Sequence, residues 1–168
     1  MKTAIFYGSS TGNTESVAKK ILKKLGGVEV LDIYDISSTK VEKISEYEKL
    51  IIGSPTWGDG DLQDDWESVF EKLKNIDFAG KTVALFGLGD QEEYPDKFLG
   101  AMWLLYEVIK SKGAKIIGEW PASGYYHNNS KAQDGDQFVG LALDEDNQSE
   151  MSDGRIDDWC EQIRSEIL

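Results

Sequence analysis

Short apolar runs and amphipathic stretches alternate along the whole chain. Between the runs, apolar residues recur at the three- and four-residue spacing of one helix face. A chain in which strands and helices alternate typically forms a parallel sheet with helices on both faces. The connections between its strands are right-handed crossovers. The pattern therefore predicts an α/β fold, a doubly wound five-stranded parallel sheet with strand order 2-1-3-4-5. The five predicted strands are Ala4–Tyr7, Val28–Ile33, Leu50–Gly53, Val83–Gly87 and Lys115–Trp120.

Four longer helices and one short one are predicted between and after these strands. The first helix stops at the pair Gly26-Gly27, and the third stops at Gly113. Between the second and third strands, the apolar residues Val41, Ile44 and Tyr47 indicate only a short helix. The stripes of the longer helices are Val17, Ala18, Ile21, Leu22 and Leu25; Trp66, Val69, Phe70 and Leu73; Phe98, Met102, Leu105 and Ile109; and Ile156, Trp159, Cys160, Ile163 and Ile167.

One polar segment interrupts this alternation. The segment from Pro121 to Gln137 is rich in Ser, Asn, Gly and Asp, with an apolar run on each side. Because Lys115–Trp120 and Phe138–Leu143 both have the pattern of a strand, we interpret them as two parts of the last strand, split by an inserted loop. A loop of this length without structure of its own is uncommon in a compact domain and often functional. Residues 1–168 are otherwise predicted to form a single domain.

Charge and cysteine content narrow the possible functions. The chain has 31 acidic and 18 basic residues and a formal net charge of −13. Nucleic acid and anionic membrane surfaces should be repelled, whereas basic protein partners should be attracted. Cys160 is the single cysteine, which excludes an internal disulfide framework and fits a reducing cytoplasm. No secretion signal is recognisable at the N-terminus, and we expect a cytoplasmic monomer.

The loop after the first strand has the composition of a phosphate-binding loop. Backbone N–H groups and hydroxyls at a helix N-terminus bind phosphate, helped by the positive end of the helix dipole. The loop contains no Lys or Arg, so a phosphate would be held by neutral donors alone. This suits a permanently seated cofactor better than a nucleotide that is cleaved and released. The residues of the loop are Ser9, Ser10, Thr11, Gly12, Asn13 and Thr14.

Two more loops are expected at the same edge of the sheet. Doubly wound sheets bind ligands beyond the carboxyl ends of their strands, where the strand order reverses. Here that point lies between the first and third strands. The third strand runs into residues 54–61, Ser-Pro-Thr-Trp-Gly-Asp-Gly-Asp, and the fourth into residues 87–94, Gly-Leu-Gly-Asp-Gln-Glu-Glu-Tyr. Each loop offers an aromatic near a glycine and a carboxylate, so the three loops predict a site for a flat ring with a phosphorylated tail.

At these residues the chain resembles the flavodoxins, specifically the long-chain group, which bind FMN and carry electrons. The loop Ser9–Thr14 is similar to the family's phosphate loop, Ser/Thr-x-Thr-Gly-x-Thr. The segments Pro55–Gly58 and Gly87–Tyr94 resemble its two flavin-flanking loops. The insertion Pro121–Gln137 matches the loop that separates long-chain from short-chain members. The resemblance covers essentially the whole chain and implies a flavodoxin-like fold with FMN as the cofactor.

The resemblance also implies which residues bind FMN. The flavin ring would stack between Trp57 and Tyr94, which would bury a large area. The peptide after the tryptophan would flip on reduction and stabilise the neutral semiquinone, and Gly58 tolerates the positive φ that this requires. The implied cofactor-binding residues are Ser9, Ser10, Thr11, Gly12, Asn13, Thr14, Pro55, Thr56, Trp57, Gly58, Asp59, Leu88, Gly89, Asp90, Tyr94 and Asp146.

Acidic residues are expected to control the second electron. Like charges in a partly dry site disfavour the anionic hydroquinone, so that form becomes a strong reductant. The candidates to lie close to the ring are Asp59, Asp61, Asp90 and Asp146.

The predicted function is a low-potential one-electron carrier with non-covalently bound FMN that shuttles between semiquinone and hydroquinone. The alternative is a flavin-dependent NAD(P)H or quinone reductase of the same fold, which would need room for a second planar substrate. No catalytic or metal-binding residue is expected: His127 stands alone in the insertion and is interpreted as a surface residue, and Cys160 as buried. The expected partners are basic-surfaced redox proteins, such as an NAD(P)H-dependent flavodoxin reductase and downstream acceptors.

Overall fold

A parallel sheet with five strand positions forms the centre of the structure, a computed structural model that describes residues 3–168. The sheet order matches the predicted 2-1-3-4-5, because the first strand lies between the second and third along the chain. In the order of pairing, the strands are β2 (Leu31–Asp35), β1 (Thr3–Tyr7), β3 (Lys49–Trp57), β5 (Thr82–Leu88) and, sharing the last position, β6 (Lys115–Ile117) and β10 (Leu141–Leu143).

The last strand position is split, as predicted. Strand β6 pairs in parallel with Thr82–Ala84 of β5, and β10 pairs with Phe86–Leu88 of the same strand. The chain leaves the sheet after β6 because Gly118 has a φ of 86°, which a strand does not adopt.

The inserted segment splits the last strand as predicted, and it has structure of its own that its polar composition did not indicate. The strands β7 (Trp120–Pro121), β8 (Gln133–Asp134) and β9 (Gln137–Phe138) form a small antiparallel sheet in the order β7-β9-β8. The apolar runs on either side therefore each contribute to two strands, one in the main sheet and one in the small sheet. Strands of two residues are too short to show an alternating pattern in the sequence.

Helices cover both faces of the main sheet. Helices α1 (Asn13–Lys24) and α4 (Ser149–Ile167) pack on one face around the buried Trp159, and α2 (Asp64–Leu73) and α3 (Gly100–Ser111) pack on the other around the buried Trp66. The predicted short helix is a 3-10 helix, Val41–Glu46, preceded by a shorter one, Ile36–Ser38. Within residues 3–168, no helix is both long and apolar enough to span a membrane.

The second strand begins later than the apolar run suggested. Strand β2 starts at Leu31, whereas Val28 and Val30 are 64% and 41% exposed. Both valines belong to the turn that ends α1, in which Gly27 N–H donates to the carbonyl of Leu22 and Val30 N–H donates to that of Gly27. These turn hydrogen bonds therefore occupy backbone groups that a strand beginning at Val28 would have paired with its neighbour in the sheet.

Candidate functional site

The phosphate loop, residues 9–14, presents unpaired backbone donors at the start of α1. Gly12 precedes the helix in a left-handed conformation with φ 95°, and no side chain caps the helix. The Ser9 hydroxyl accepts from Glu15 N–H over 3.3 Å. Among the described residues, however, nothing accepts from the N–H groups of residues 10–14. Several free N–H groups at the positive end of a helix dipole can bind a phosphate without a cation.

A buried glutamine supports this loop from the neighbouring helix. Gln63 caps the start of α2 through its Oε1 and the N–H of Trp66, at 3.4 Å. Its Nε2 donates to the hydroxyl of Ser10 over 3.0 Å. Because Ser10 accepts this bond, its own O–H remains available to donate to a ligand.

The tryptophan loop is the tip of a tight hairpin. Strand β4 (Asp61–Leu62) folds back on the end of β3, so that Thr56 pairs with Leu62 and Trp57 with Asp61. The turn between them requires a left-handed residue, and Gly58 has φ 47°. The hairpin therefore places the half-buried Trp57 at the carboxyl end of the sheet.

The loop after β5 is shaped by the carboxylate of Asp90. Its Oδ1 accepts from the N–H groups of Glu92 and Glu93, each at 3.0 Å. The Asp90 carbonyl accepts from the N–H of Tyr94 over 3.0 Å. This one-turn bend brings the half-buried Tyr94 to the same edge of the sheet as Trp57.

These loops enclose a cavity of about 270 Å³ at the carboxyl ends of β1, β3 and β5. The predicted residues that line it are Thr11, Asn13, Pro55, Thr56, Trp57, Leu88, Gly89, Asp90, Tyr94 and Asp146. Two further acids line it that the sequence analysis did not single out, Glu93 and Glu145. The cavity therefore brings together residues from all three predicted loops and from the segment before α4.

Other predicted residues lie outside the lining. Ser9, Ser10 and Gly12 form the body of the phosphate loop, and Thr14 is buried beneath it. Gly58 and Asp59 are exposed at the hairpin tip, and Asp59 borders a separate cavity of about 90 Å³. Asp61, on β4, is also exposed and outside the lining.

One hydroxyl on the cavity lining has no partner. The Oγ1 atom of Thr56 is buried and makes no hydrogen bond with any described residue. Buried polar atoms are nearly always paired, and an unpaired one costs about 1–3 kcal/mol. A polar ligand group in the cavity would provide the missing partner.

Carboxylates give one side of the cavity a negative potential. Burial alone would raise the pKa of Asp90, but bonds from Glu93 N–H, the Asn147 amide and Glu92 N–H outweigh it and lower that pKa. Asp146 is mostly exposed, yet partial desolvation of its carboxyl, followed by the charges of Asp90 and Asp144, raises its pKa. A ligand that gains negative charge here would be disfavoured.

Behind this side lies a buried carboxylate that the sequence analysis did not identify. Asp144 is fully buried and directly follows β10. It accepts from the backbone and side-chain N–H groups of Gln91, at 3.1 and 2.9 Å, and from those of Asn147. The Asn147 Nδ2 also donates to Asp90 over 2.8 Å, so it joins the buried acid to the acid at the cavity.

Comparison with known proteins agrees with this architecture. The family model described as Flavodoxin matches residues 5–159. The flavodoxin of Synechocystis is 49% identical over 163 residues, which cover 97% of this chain and 96% of that protein. Flavodoxin 1 of Escherichia coli is 47% identical over 166 residues, which cover 98% and 94%.

The chain belongs to the flavodoxin family. The structural likeness is equally complete: a crystal structure of Fusobacterium nucleatum flavodoxin bound to flavin mononucleotide superposes with a TM-score of 0.93 at 34% identity, covering 100% of both chains. The inserted segment is therefore part of the likeness, and the resemblance inferred from the three loops is confirmed.

The predictions for Cys160 and His127, neither of which was expected to be a site residue, have different outcomes. Cys160 is buried, as predicted, and burial raises the pKa of its thiol to about 12. His127, by contrast, is not a plain surface residue: its half-buried ring packs 5.0 Å from Phe98 and 5.3 Å from Phe138, between ring centroids. Within residues 3–168, no group of three or more His, Cys, Asp and Glu side chains could hold a metal ion.

Proposed function

We propose that this chain is an electron carrier that binds FMN non-covalently in the cavity at the carboxyl edge of the sheet. The observation that carries the proposal is the buried hydroxyl of Thr56, which has no partner among residues 3–168 although Thr56 lines the cavity. The unpaired N–H groups of the phosphate loop lie at the same edge. This donor set fits a ligand with a phosphate at one end and a polar ring or chain beside it.

The proposed roles follow from the chemistry of each loop. The N–H groups of residues 10–14, with the hydroxyls of Ser10 and Thr11, would hold the phosphate. Trp57 and Tyr94 would flank the ring and exclude water from its faces. The Thr56 hydroxyl and the backbone at Gly89 would make polar contacts with the ring edge or the ribityl chain. FMN supplies the redox chemistry, since its ring accepts and releases electrons one at a time.

The acids around the cavity would set the second reduction potential. Asp90 is held in place by three N–H donors, and Glu93, Glu145 and Asp146 share the cavity with it. Their charges oppose the negative charge that a second electron adds to the ring, because electrostatic interactions are strong in a partly dry site. The phosphate would add to this effect because its loop contains no cation.

A carrier is favoured over a reductase of the same fold. The ring would lie in the cavity at the carboxyl edge of the sheet. The aromatic side chains of Trp57 and Tyr94 both line it. A reductase would need one face of the ring to remain open for a second planar substrate, whereas an aromatic side chain on each side of the ring would leave neither face open.

The proposed partners are basic-surfaced redox proteins, such as an NAD(P)H-dependent flavodoxin reductase as donor and downstream proteins as acceptors. The net charge of −13 and the acids at the cavity support this, since a ring exchanging electrons must be approached at that edge. We also propose that the carrier works as a monomer in the cytoplasm, where the lone buried Cys160 needs no disulfide partner.

The visible spectrum of the purified protein tests the proposal. We expect a yellow protein whose flavin is released by mild denaturation and rebinds with a 1:1 stoichiometry. The carrier function is tested by mixing the holoprotein with NADPH and a quinone: turnover should appear only after a flavodoxin reductase is added. A colourless protein that does not bind FMN would overturn the cofactor assignment, and rapid turnover without the reductase would overturn the carrier assignment.

A further inference from the structure

A buried glutamine lies behind the cavity and joins three parts of the chain. The side chain of Gln91, which is 1% exposed, donates through Nε2 to Asp144 over 2.9 Å and to Gln148 over 3.1 Å. Its Oε1 accepts from the backbone N–H groups of Tyr126, at 2.6 Å, and His127, at 3.2 Å. The amide therefore uses both of its donors and both lone pairs of its acceptor.

On one side, Gln91 connects to the edge of the cavity. Asp144 forms no ion pair with any Lys or Arg of residues 3–168, and within that range its carboxylate accepts only from N–H groups of Gln91 and Asn147. The Asn147 amide then donates to Asp90 over 2.8 Å. A continuous chain of hydrogen bonds thus runs from Gln91 through Asp144 and Asn147 to the carboxylate at the cavity.

On the other side, Gln91 connects to the inserted segment. Its partner Gln148 donates to the carbonyl of Gly124 over 2.9 Å. The buried Arg155 of α4 donates to Gln148 Oε1 and to the same carbonyl, and its guanidinium lies 4.0 Å from the ring centroid of Tyr125. Helix α4 therefore holds the start of the insertion in place, and the insertion places the two backbone N–H groups that Gln91 accepts.

We propose that Gln91 is a positioning residue through which the inserted segment holds the Asp90 carboxylate at the cavity and thereby sets the second reduction potential of the bound cofactor. The inference rests on the proposed function. With the network intact, Asn147 has a fixed orientation and keeps the Asp90 charge beside the ring, where it opposes the second electron. With the network broken, Asp90 keeps only the bonds from the N–H groups of Glu92 and Glu93. Its carboxylate is then held less firmly beside the ring, and the second electron enters more readily.

Gln91→Leu removes the amide at similar size, and Gln133→Leu is a matched control. Gln133 also bonds within the insertion, to His127 Nε2 at 2.7 Å and to the Gly135 carbonyl at 3.0 Å, but it does not contact Asp144. We expect Gln91→Leu to raise the second reduction potential by an amount equal to about threefold or more in the reduction equilibrium. Gln133→Leu should leave that potential unchanged, even where it lowers stability.

Gln91→Glu provides a pH-dependent version of the same test and a second variant if Gln91→Leu does not fold. A protonated glutamic acid donates one hydrogen bond to Asp144, as the amide does, whereas a glutamate cannot. Its carboxyl beside Asp144 should protonate in an accessible range, because neighbouring carboxylates share a proton. In the FMN-free protein, amide exchange at Glu92 and Glu93, compared with the parent protein at the same pH, should therefore match the parent at low pH and approach that of Gln91→Leu at high pH.

A measurement without the cofactor separates this inference from the proposed function. In the FMN-free protein, amide hydrogen exchange at Glu92 and Glu93, whose N–H groups bond Asp90, should accelerate about tenfold in Gln91→Leu and not in Gln133→Leu. If the parent protein binds no FMN, the proposed function fails, while the exchange result still reports on the network. If both leucine variants shift potential and exchange alike, or neither does, the positioning role of Gln91 is wrong.

Discussion

The side-chain amide of Gln63 donates a hydrogen bond to the hydroxyl of Ser10 over 3.0 Å, which links the first turn of α2 to the phosphate loop. Gln63 is fully buried, and the other hydrogen bonds of its side chain are with its own helix, at Trp66 and Asp65. The phosphate loop is thus held from the side by a residue that lies 53 positions away in the sequence.

Gln63→Leu should weaken the binding of FMN more than that of riboflavin. The variant leaves Ser10 without its support, and only FMN carries the phosphate that this hydroxyl would bind. Loss of about one hydrogen bond corresponds to about five- to tenfold in the FMN dissociation constant, measured by fluorescence titration. Gln162→Leu, which removes an exposed contact to the Glu119 carbonyl, should change neither ligand. Equal losses for FMN and riboflavin in Gln63→Leu would show that the effect is not at the phosphate.

Thr56→Val should act in opposite directions on stability and on binding. In the FMN-free protein, the variant removes a buried hydroxyl that has no partner, so its unfolding free energy should rise or stay equal, by up to about 1 kcal/mol. FMN binding should weaken by about fivefold, because the ligand loses the same hydroxyl. Urea unfolding and FMN titration measure the two effects.

Ser152→Ala is the control for this variant. Its Oγ is also buried without a partner among the described residues, but it lies in α4 away from the cavity lining. Ser152→Ala should change the unfolding free energy by about as much as Thr56→Val does, and it should leave FMN binding unchanged. A Thr56→Val protein that is clearly destabilised without FMN would contradict the assignment of Thr56 to the ligand.

The main sheet and the three loops were predictable from the chain because their information is local. Strand β1 and helix α1 follow each other within a few residues, so the periodic pattern and the residues Ser9–Thr14 predicted both the elements and the loop between them. The split of the last strand was also visible, since both halves are apolar and the insertion is polar. Sheet order then placed the loops together without any contact being known.

The hydrogen-bond network behind the cavity was not predictable from the sequence, because its bonds connect residues that are far apart along the chain. Gln91 and Asp144 are 53 residues apart, and Gln91 accepts from Tyr126, which is 35 residues away. In the sequence, Gln91 is one polar residue in a polar loop, and Asp144 is one acid among several. Gln91 and Asp144 are buried and become hydrogen-bond partners only because β10 pairs with β5 in the folded sheet.

Gly58→Val should lower the first reduction potential. The resemblance assigns this peptide a flip upon reduction, and the flipped peptide requires a positive φ at residue 58, which β-branched residues adopt only with strain. The flip should become less favourable by about 1–2 kcal/mol. Spectroelectrochemical titration measures the change.

Gly135→Val is a matched control for this effect. Gly135 has φ 64° and lies in the turn between β8 and β9 of the insertion, with no atom close to the position of an added Cβ. Its variant should lose a similar amount of unfolding free energy without any change in potential. If the two valine variants shift the first potential equally, the shift reflects general strain and the Gly58 role is wrong.

Asp90→Asn should reduce the loss of stability in acid. The folded protein lowers the pKa of Asp90 below its unfolded value of about 3.9, so its ionised form stabilises the fold above that value. This contribution is lost as pH falls through the lower folded pKa. Between about pH 5 and pH 2, the unfolding free energy of the FMN-free variant should therefore fall less steeply than that of the parent. Urea unfolding at each pH measures it.

Asp59→Asn provides the comparison for Asp90→Asn. Asp59 is exposed at the hairpin tip and makes no hydrogen bond with the described residues, so its variant should keep the parent's acid profile. In the holoprotein, Asp90→Asn should also raise the second reduction potential, because one charge that opposes the second electron is gone. A lower potential would contradict the electrostatic role of Asp90.

Electron transfer with a basic partner should slow as salt is added, and the acids at the cavity should account for the effect. Raising the ionic strength from about 0.01 M to 0.1 M shortens the screening length from about 30 to about 10 Å, so the bimolecular rate with a flavodoxin reductase should fall by about tenfold.

The double variant Glu93→Gln/Glu145→Gln removes two charges at the cavity and should flatten this dependence in stopped-flow measurements. The variant Glu46→Gln/Glu48→Gln removes the same charge from exposed positions directly before the start of β3, at its opposite end, and should keep nearly the parent slope. If both double variants flatten the slope equally, net charge alone drives the association, and docking is not directed to the cavity edge.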